Sequence, residues 1–377
     1  MNVKTEQSKT AVTTTVQQAA LADALAKVRL AVRGTTTLPV LRCVLVELLP
    51  GKVRLTGTDL DLWVRCEVEA DGPGDGKACV PLRLMQDAVA QSAGNLRIGV
   101  GRSCCVLQAC SGVEWRLEGM DAGEFPPEPK FNAENVVKEA KWSALAEAVG
   151  RVRFACSSDE SRYTLCGVLC GFKSFGEGGS VFAVATDARR IALFNAPRSR
   201  NDAVFQFILP CKAADAVLAV AGAGGVSVEA GGGFVLLRGT DGGTVLWAKT
   251  MDDIYPEWAN VVPEKFEHSV KLDAAAAARL VRSVAVVGSE REGSVKVEVS
   301  AAAAVLSCGS SDNGSAKVSV PVSYAGPEKV LWFHWRYLAE MLEGAGPGEA
   351  VFAFNDVLEP GFVVAGGYKC VLMPMRM

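Results

Sequence analysis

Six stretches of the chain carry apolar residues at helical spacing, and the runs between them alternate apolar with polar at the period of a strand. In residues 17–34, Leu21, Leu25, Val28 and Val32 share one helical face, and Gly34 suits the stop. Residues 81–94 open with Pro81 at a first helical position and close on Gly94. Residues 141–157 bring Trp142, Leu145 and Val149 together, and residues 210–224 again open with Pro and end in Gly. Asp273 heads the fifth stretch, 273–288, as an N-cap, and the sixth, 334–346, carries Leu338, Met341 and Leu342. Runs such as 52–70, 180–196, 296–308 and 362–375 read as strands, and their short connections favour antiparallel pairing over parallel crossovers.

The helix-like stretches recur at roughly sixty-residue spacing, two to each third of the chain. Segments rich in Pro and charge at 124–135 and 255–268 suit inter-domain crossings. The expected architecture is α+β with a pseudo-threefold internal repeat, divided as 1–132, 133–263 and 264–377.

Composition narrows the chemistry. Apolar residues make up 49% of the 377 positions and charged residues 21%, an ordinary balance for a chain with a sizeable core. With 39 Lys and Arg against 42 Asp and Glu, the net charge is −3, so any surface facing a polyanion must be a local basic zone. The six helical stretches hold more basic than acidic side chains, which leaves the remainder net acidic. No apolar run is long enough for a membrane span, and the N-terminus has no apolar core of a secretory signal, so the expected compartment is the cytoplasm. Twelve cysteines show no metal-ligand spacing, and only His268 and His334 could assist them. They are expected to pack as small hydrophobes. Neither a P-loop, a dinucleotide-binding glycine motif, H-E-x-x-H nor G-x-S-x-G is present. Asp59 and Asp61 are the nearest thing to an acid pair, and a solvated face explains them better. No cofactor and no catalytic residue is expected.

The chain ends Val371-Leu372-Met373-Pro374-Met375-Arg376-Met377, an odd finish for a strand. Upstream stand Thr37-Leu38-Pro39-Val40-Leu41, Leu55-Thr56-Gly57-Thr58-Asp59-Leu60 and Glu124-Phe125-Pro126. Further on come Arg162-Tyr163 with Leu165 and Gly167, Ala185-Thr186-Asp187 with Arg190, and Tyr255-Pro256 followed by Val261 and Pro263. Taken in this order, nearly end to end, these segments resemble the bacterial DNA polymerase III beta subunit, the replicative sliding clamp. The resemblance implies three clamp domains, each with two helices packed on antiparallel sheets, closing head to tail into a two-subunit ring around duplex DNA. It implies sequence-independent, topological binding of double-stranded DNA, with the replicative and other DNA polymerases, the clamp loader and a second copy of the chain as partners. Neither a membrane nor a cofactor is implied.

Carried over residue by residue, the family's peptide-binding cleft falls on Leu165, Thr186, Arg190, Ile191, Pro256, Val261, Val371, Met373, Pro374, Met375 and Arg376. Methionine is flexible and polarisable, so such a groove can accept several partners. Ala188 and Arg189 stand where the family often has Gly and His, and Asn260 replaces a basic residue. DNA-binding positions fall on Arg33, Arg151, Arg153, Arg162 and Tyr163, with Thr164 in place of a second aromatic. The subunit interface falls on Trp115, Leu117, Val286 and Val287. There Glu114 replaces a basic residue, and the polar run 310–315 replaces an acidic cluster. Closure is therefore expected to rest on backbone pairing and apolar burial. Two rival readings are a clamp-like scaffold that does not encircle DNA and an enzyme with a cysteine nucleophile.

Overall fold

The computed structural model describes residues 14–130, 133–175, 178–199, 204–221, 224–239, 242–262, 265–288, 293–310 and 313–376. Pro263, Ser311, Asp312 and Met377, named above, lie outside the described residues. All six expected helices form: α1 (Gln18–Val28), α2 (Leu82–Ala90), α3 (Trp142–Val152), α4 (Cys211–Val220), α5 (Ala274–Ala285) and α6 (Trp335–Ala345). Their apolar stripes are the buried faces: Leu21, Leu25 and Val28 on α1, Leu145 and Val149 on α3, and Leu338, Met341 and Leu342 on α6. Asp273 caps α5 as expected, its carboxylate accepting from the Ala276 amide at 2.7 Å.

Two boundaries differ from expectation. The α1 stripe ends at Val28, where the chain tightens into a 3-10 turn over Arg29–Ala31 and leaves Val32 extended. The Arg33 amide then bonds to the Leu41 carbonyl, so residues 32–34 follow that loop instead of the helix. Pro81 is the N-cap of α2 and the last residue of the strand Lys77–Pro81, one position before the helix proper.

All recorded strand pairs are antiparallel, and contacts divide the chain into two compact units. The first comprises Met1–Ser143 with Asp215–Thr250. Its thirteen-stranded sheet turns on the long strand Leu62–Asp71, which pairs with Lys52–Thr58, with Thr14–Gln17 and with Thr244–Lys249. Trp63 and Trp247 face each other in register and cluster with Leu236 and Val245. Arg65 lies 4.9 Å over the Trp247 ring and grips Glu128 through two bonds of 2.7 and 2.9 Å, which ties down the Pro-rich segment after Phe125.

The second unit comprises Ala144–Ala214 with Met251–Met377. Its eight-stranded sheet is joined at its middle, where Arg190–Ser199 pairs with Tyr368–Leu372. A four-stranded sheet runs in the order Gly314–Pro321, Ala303–Ser310, Ser294–Val299, Lys329–His334. Helices α5 and α6 pack together, and Arg282 bonds Glu343 across them at 2.7 and 2.8 Å. The buried Tyr368 hydroxyl donates to the Met341 carbonyl at 2.8 Å, fixing α6 on the C-terminal strand.

Candidate functional site

The C-terminal strand builds the site from its backbone. Ile191 pairs with Val371, and both are buried in a cluster with Leu169, Met251 and Tyr255, against which Trp258 and Val262 pack in part. Beyond Leu372 the chain leaves the sheet, yet it stays pinned. The Met373 amide donates to the Arg189 carbonyl at 3.0 Å, and the Met375 amide donates to the Trp332 carbonyl at 2.8 Å. Pro374 between them has no N–H to satisfy. The tail is thus held by its main chain while its side chains stay available: Met373 is 49% exposed, and Pro374 and Met375 are half-buried.

Two loops flank this floor. Asp253, two residues before Tyr255, accepts from the Thr164 hydroxyl and from the Ile254 amide. Both bonds hold its carboxyl below the usual range, with Thr164 the larger cause. They tie the 251–258 segment to the 3-10 helix Glu160–Cys166 that carries Leu165. Pro256 is exposed, and Val261 and Ile254 present large apolar surfaces at 54% and 89% exposure. Ile254 is a residue that sequence reasoning missed, because an exposed Ile in a loop carries no periodic signal.

Arg190 plays a different part from its neighbours. Its side chain is 6% exposed and is shared between Asp187 at 3.0 Å, Glu340 at 2.5 Å and the Phe154 carbonyl at 2.6 Å. The guanidinium also lies 4.3 Å from the Tyr337 ring centroid and 5.0 Å from that of Phe154. It is a buried strut beneath the tail. Thr186 belongs to the same turn, donating to the Arg190 carbonyl at 2.7 Å.

The basic residues separate by how far local carboxylates neutralise them. Arg33 lies 3.5 Å from Asp59 and 3.4 Å from Asp61, so the acid pair is a turn cap facing a cation. Asp59 is buried there and accepts from the Asp61 and Leu62 amides. Arg151 bonds Glu147 and the Gly344 carbonyl and stacks over Phe194. Arg153 begins the 3-10 turn after α3 and is half-buried. Arg162 is 51% exposed beside Asp159, and Tyr163 is 60% exposed. On the helices, Lys27, Arg83 and Arg336 each pair with a carboxylate four residues away. Arg29 and Arg279 are exposed and have no ion pair among the described residues, so they are the freer cations.

Two strands end their sheets. Glu114–Glu118 is one terminus of the large sheet and Gly314–Pro321 is one terminus of the four-stranded sheet. On the first, Leu117 is buried within its own unit, Trp115 is half-buried, and Glu114, Arg116 and Glu118 are exposed. On the second, Ala316, Val318 and Val320 alternate with exposed polar residues and remain half-buried. Val286 is 81% exposed, and Val287 is half-buried beside Ser310. The cysteines are all free and eight of the twelve are buried; burial pushes the Cys79 and Cys105 thiols up to about 12.

Comparison with known proteins is consistent along the chain. Residues 12–129 match the family model of the DNA polymerase III beta subunit, N-terminal domain, and residues 139–257 match that of its central domain. The chain is 28% identical over 371 residues to the beta sliding clamp of Caulobacter vibrioides, covering 96% of this chain and 99% of that one. It is 25% identical over 366 residues to the beta sliding clamp of Chlamydia muridarum, covering 95% and 97%. Among solved structures, the C. crescentus beta sliding clamp superposes with a TM-score of 0.84 at 26% identity, covering 97% of this chain and all of that one. The Pseudomonas aeruginosa sliding clamp bound to griselimycin shares the fold at a TM-score of 0.87 and 23% identity, with 97% and 100% covered.

Proposed function

The chain belongs to the DNA polymerase III beta subunit family, and from that premise we propose which of its residues do a clamp's work. It is a DNA sliding clamp: a non-catalytic processivity factor whose ring encircles duplex DNA and tethers DNA polymerases. Its partners are DNA, polymerases, the clamp loader and a second copy of itself. Among the described residues no helix is long and apolar enough to cross a membrane. A cytoplasmic location suits the role.

Three domains, 1–132, 133–263 and 264–377, are supported by the two domain matches and by the two helices in each third. Partner segments dock on the tail Met373–Arg376 and the shelf formed by Leu165, Ile191, Pro256, Val261 and Val371, with Thr186 and Arg190 bracing it from beneath. DNA passes Arg162 and Tyr163, the accessible members of the set, with Arg33, Arg151 and Arg153 adding positive charge that is largely balanced locally. Ring closure uses the strand with Trp115 and Leu117 and the region of Val286 and Val287, joined by Ala316 and Val318. The observation that supports ring closure is that Glu114–Glu118 and Gly314–Pro321 are two of the sheet termini, with no further strand paired beyond them among the described residues. An open edge of this kind is a ready template for pairing with another chain.

Retention on DNA is then topological, and direct affinity is weak. Binding to a short linear duplex should collapse at moderate salt, because each neutralised phosphate contributes a slope of about −0.9. After loader-driven assembly on a closed circle, retention should survive that salt and end when the circle is cut. Retention that persists on the linearised DNA would refute encirclement.

A further inference from the structure

Three thiols of the second unit are brought together by main chain that is far apart in sequence. The strands Gly167–Phe175 and Phe205–Pro210 pair with Gly167 opposite Pro210, which sets Cys166 and Cys211 beside each other just beyond that register. The Ser157 amide donates to the Leu165 carbonyl at 2.9 Å, which brings Cys156, the C-cap of the 3-10 turn Arg153–Ala155, to the same place. Cys156 and Cys211 share a side-chain hydrogen bond. Cys166 has partners of its own: its thiol donates to the Asp159 carbonyl at 3.2 Å and accepts from the Ser157 side chain. All three are half-buried, within reach of a small reagent, whereas the other cysteines are buried except for exposed Cys110.

The two sulfurs of the hydrogen-bonded pair are not equivalent. Cys211 opens α4, and a helix N-terminus favours a sulfur anion. The hydrogen bond to Cys211, and burial after it, hold the Cys156 thiol well above its ordinary range. Cys156 therefore keeps its proton and directs it at the Cys211 sulfur. The Tyr255 hydroxyl is buried beside Cys156, Cys170, Cys211 and the Thr186 main chain, and it makes no well-formed hydrogen bond among the described residues. Burial, the main cause, keeps that hydroxyl protonated, so it is a further donor for an anion formed among the sulfurs.

We propose that Cys156 and Cys211 form a thiol–disulfide exchange site, which takes a small-molecule disulfide and closes to an intrachain disulfide. The Cys211 thiolate attacks one sulfur of the incoming disulfide, forming a mixed disulfide and releasing one thiolate. Cys156 then attacks the Cys211 sulfur; the mixed bond breaks, the Cys156–Cys211 bond forms and the second thiolate leaves. The two protein thiols give up two electrons to the incoming disulfide, and their two protons end on the two departing thiolates. Once the Cys211 sulfur is bonded it carries no charge to hold the Cys156 proton, which frees the second thiol for its step. Where the surrounding thiol pool is reducing, the bond is transient and forms as the disulfide share of that pool rises. It ties the turn after Phe154, whose carbonyl accepts from Arg190, to the start of α4.

The test incubates the native full-length protein with glutathione disulfide, quenches with acid, alkylates the remaining thiols and maps every cysteine by peptide mass spectrometry. A Cys156–Cys211 cross-link should form about tenfold faster than any other disulfide of the chain and reverse with dithiothreitol. In Cys156→Ser the reaction should stop at a mixed disulfide on Cys211, and in Cys211→Ser no adduct should form on Cys156. In urea, where the fold no longer holds the pair together, the preference for this cross-link should disappear. The proposal is overturned by a wild-type map with no Cys156–Cys211 cross-link, with Cys166 joined to Cys211 in its place, or with adducts confined to Cys110. It is overturned equally if the preference survives in urea. The wild-type map decides the matter even where a variant fails to fold.

Discussion

Beneath the tail, Arg190 is the centre of a network of two carboxylates, one carbonyl and two aromatic rings. Removing Arg190 would leave half-buried Glu340 with Arg336 alone and take the guanidinium away from Asp187. Arg190→Ala should cost about 3–5 kcal/mol in urea denaturation. His334 offers a pH signature. Its depressed proton affinity, set first by burial and then by Arg189, Arg190 and Arg336, means that the unfolded chain takes up the proton first. Stability contributed at this site is therefore full above the ordinary value of 6.5 and falls as pH drops below it through the folded value. Thermal melts from neutral to mildly acidic pH should show that decline, and His334→Gln should flatten it. Ala188 sits at φ +70 in the turn between Thr186 and Arg190, a region costly for a residue with a Cβ. Ala188→Gly should raise stability by about 0.5–1 kcal/mol, the relief of that cost less the added freedom of the unfolded chain.

Elements hold the site by backbone, so side chains can be removed without losing it. Met373→Ala with Met375→Ala should weaken binding of an apolar, aromatic-ended peptide by at least about 1–2 kcal/mol, since binding energy concentrates in a few anchors. The fold should stay intact, because the two amide bonds that pin the tail do not use those side chains. Circular dichroism and calorimetry on the same sample separate the two effects. The helices were legible for a simple reason: each buries one stripe, and a stripe leaves a 3.6-residue period in the chain. Helix ends were less legible. Val32 continues the period of α1 yet follows the 32–41 loop, whose hydrogen bond to Leu41 no local pattern announces.

At the scale of the whole molecule, the proposed closure through the two sheet ends can be tested directly. Trp115→Glu or Val318→Asp should move the population from dimer toward monomer, read by light scattering at micromolar concentration. Leu117 is different. It shares a strand with Trp115 but is buried in its own unit, so Leu117→Ala should lower stability by about 2–5 kcal/mol rather than act on closure alone. A wild-type chain that stays monomeric across that range would remove the ring.

The α+β class, the six helices, the antiparallel pairing and the family's segments could all be read in the chain, because each is written in neighbouring residues. Local period records which face is buried, and the Met-Pro-Met tail is a contiguous motif. Charge balance could not be read that way. Arg33, Arg151 and Arg190 look alike as letters near a helix or turn, yet the first faces two aspartates and the last is entombed between two aromatic rings. Which cation meets which carboxylate depends on residues such as Arg190 and Glu340, 150 positions apart, being brought together by the packing of α6 on the sheet. Desolvation and pairing act through space, so the buried strut and the sheet termini emerge only once the strands have chosen their partners.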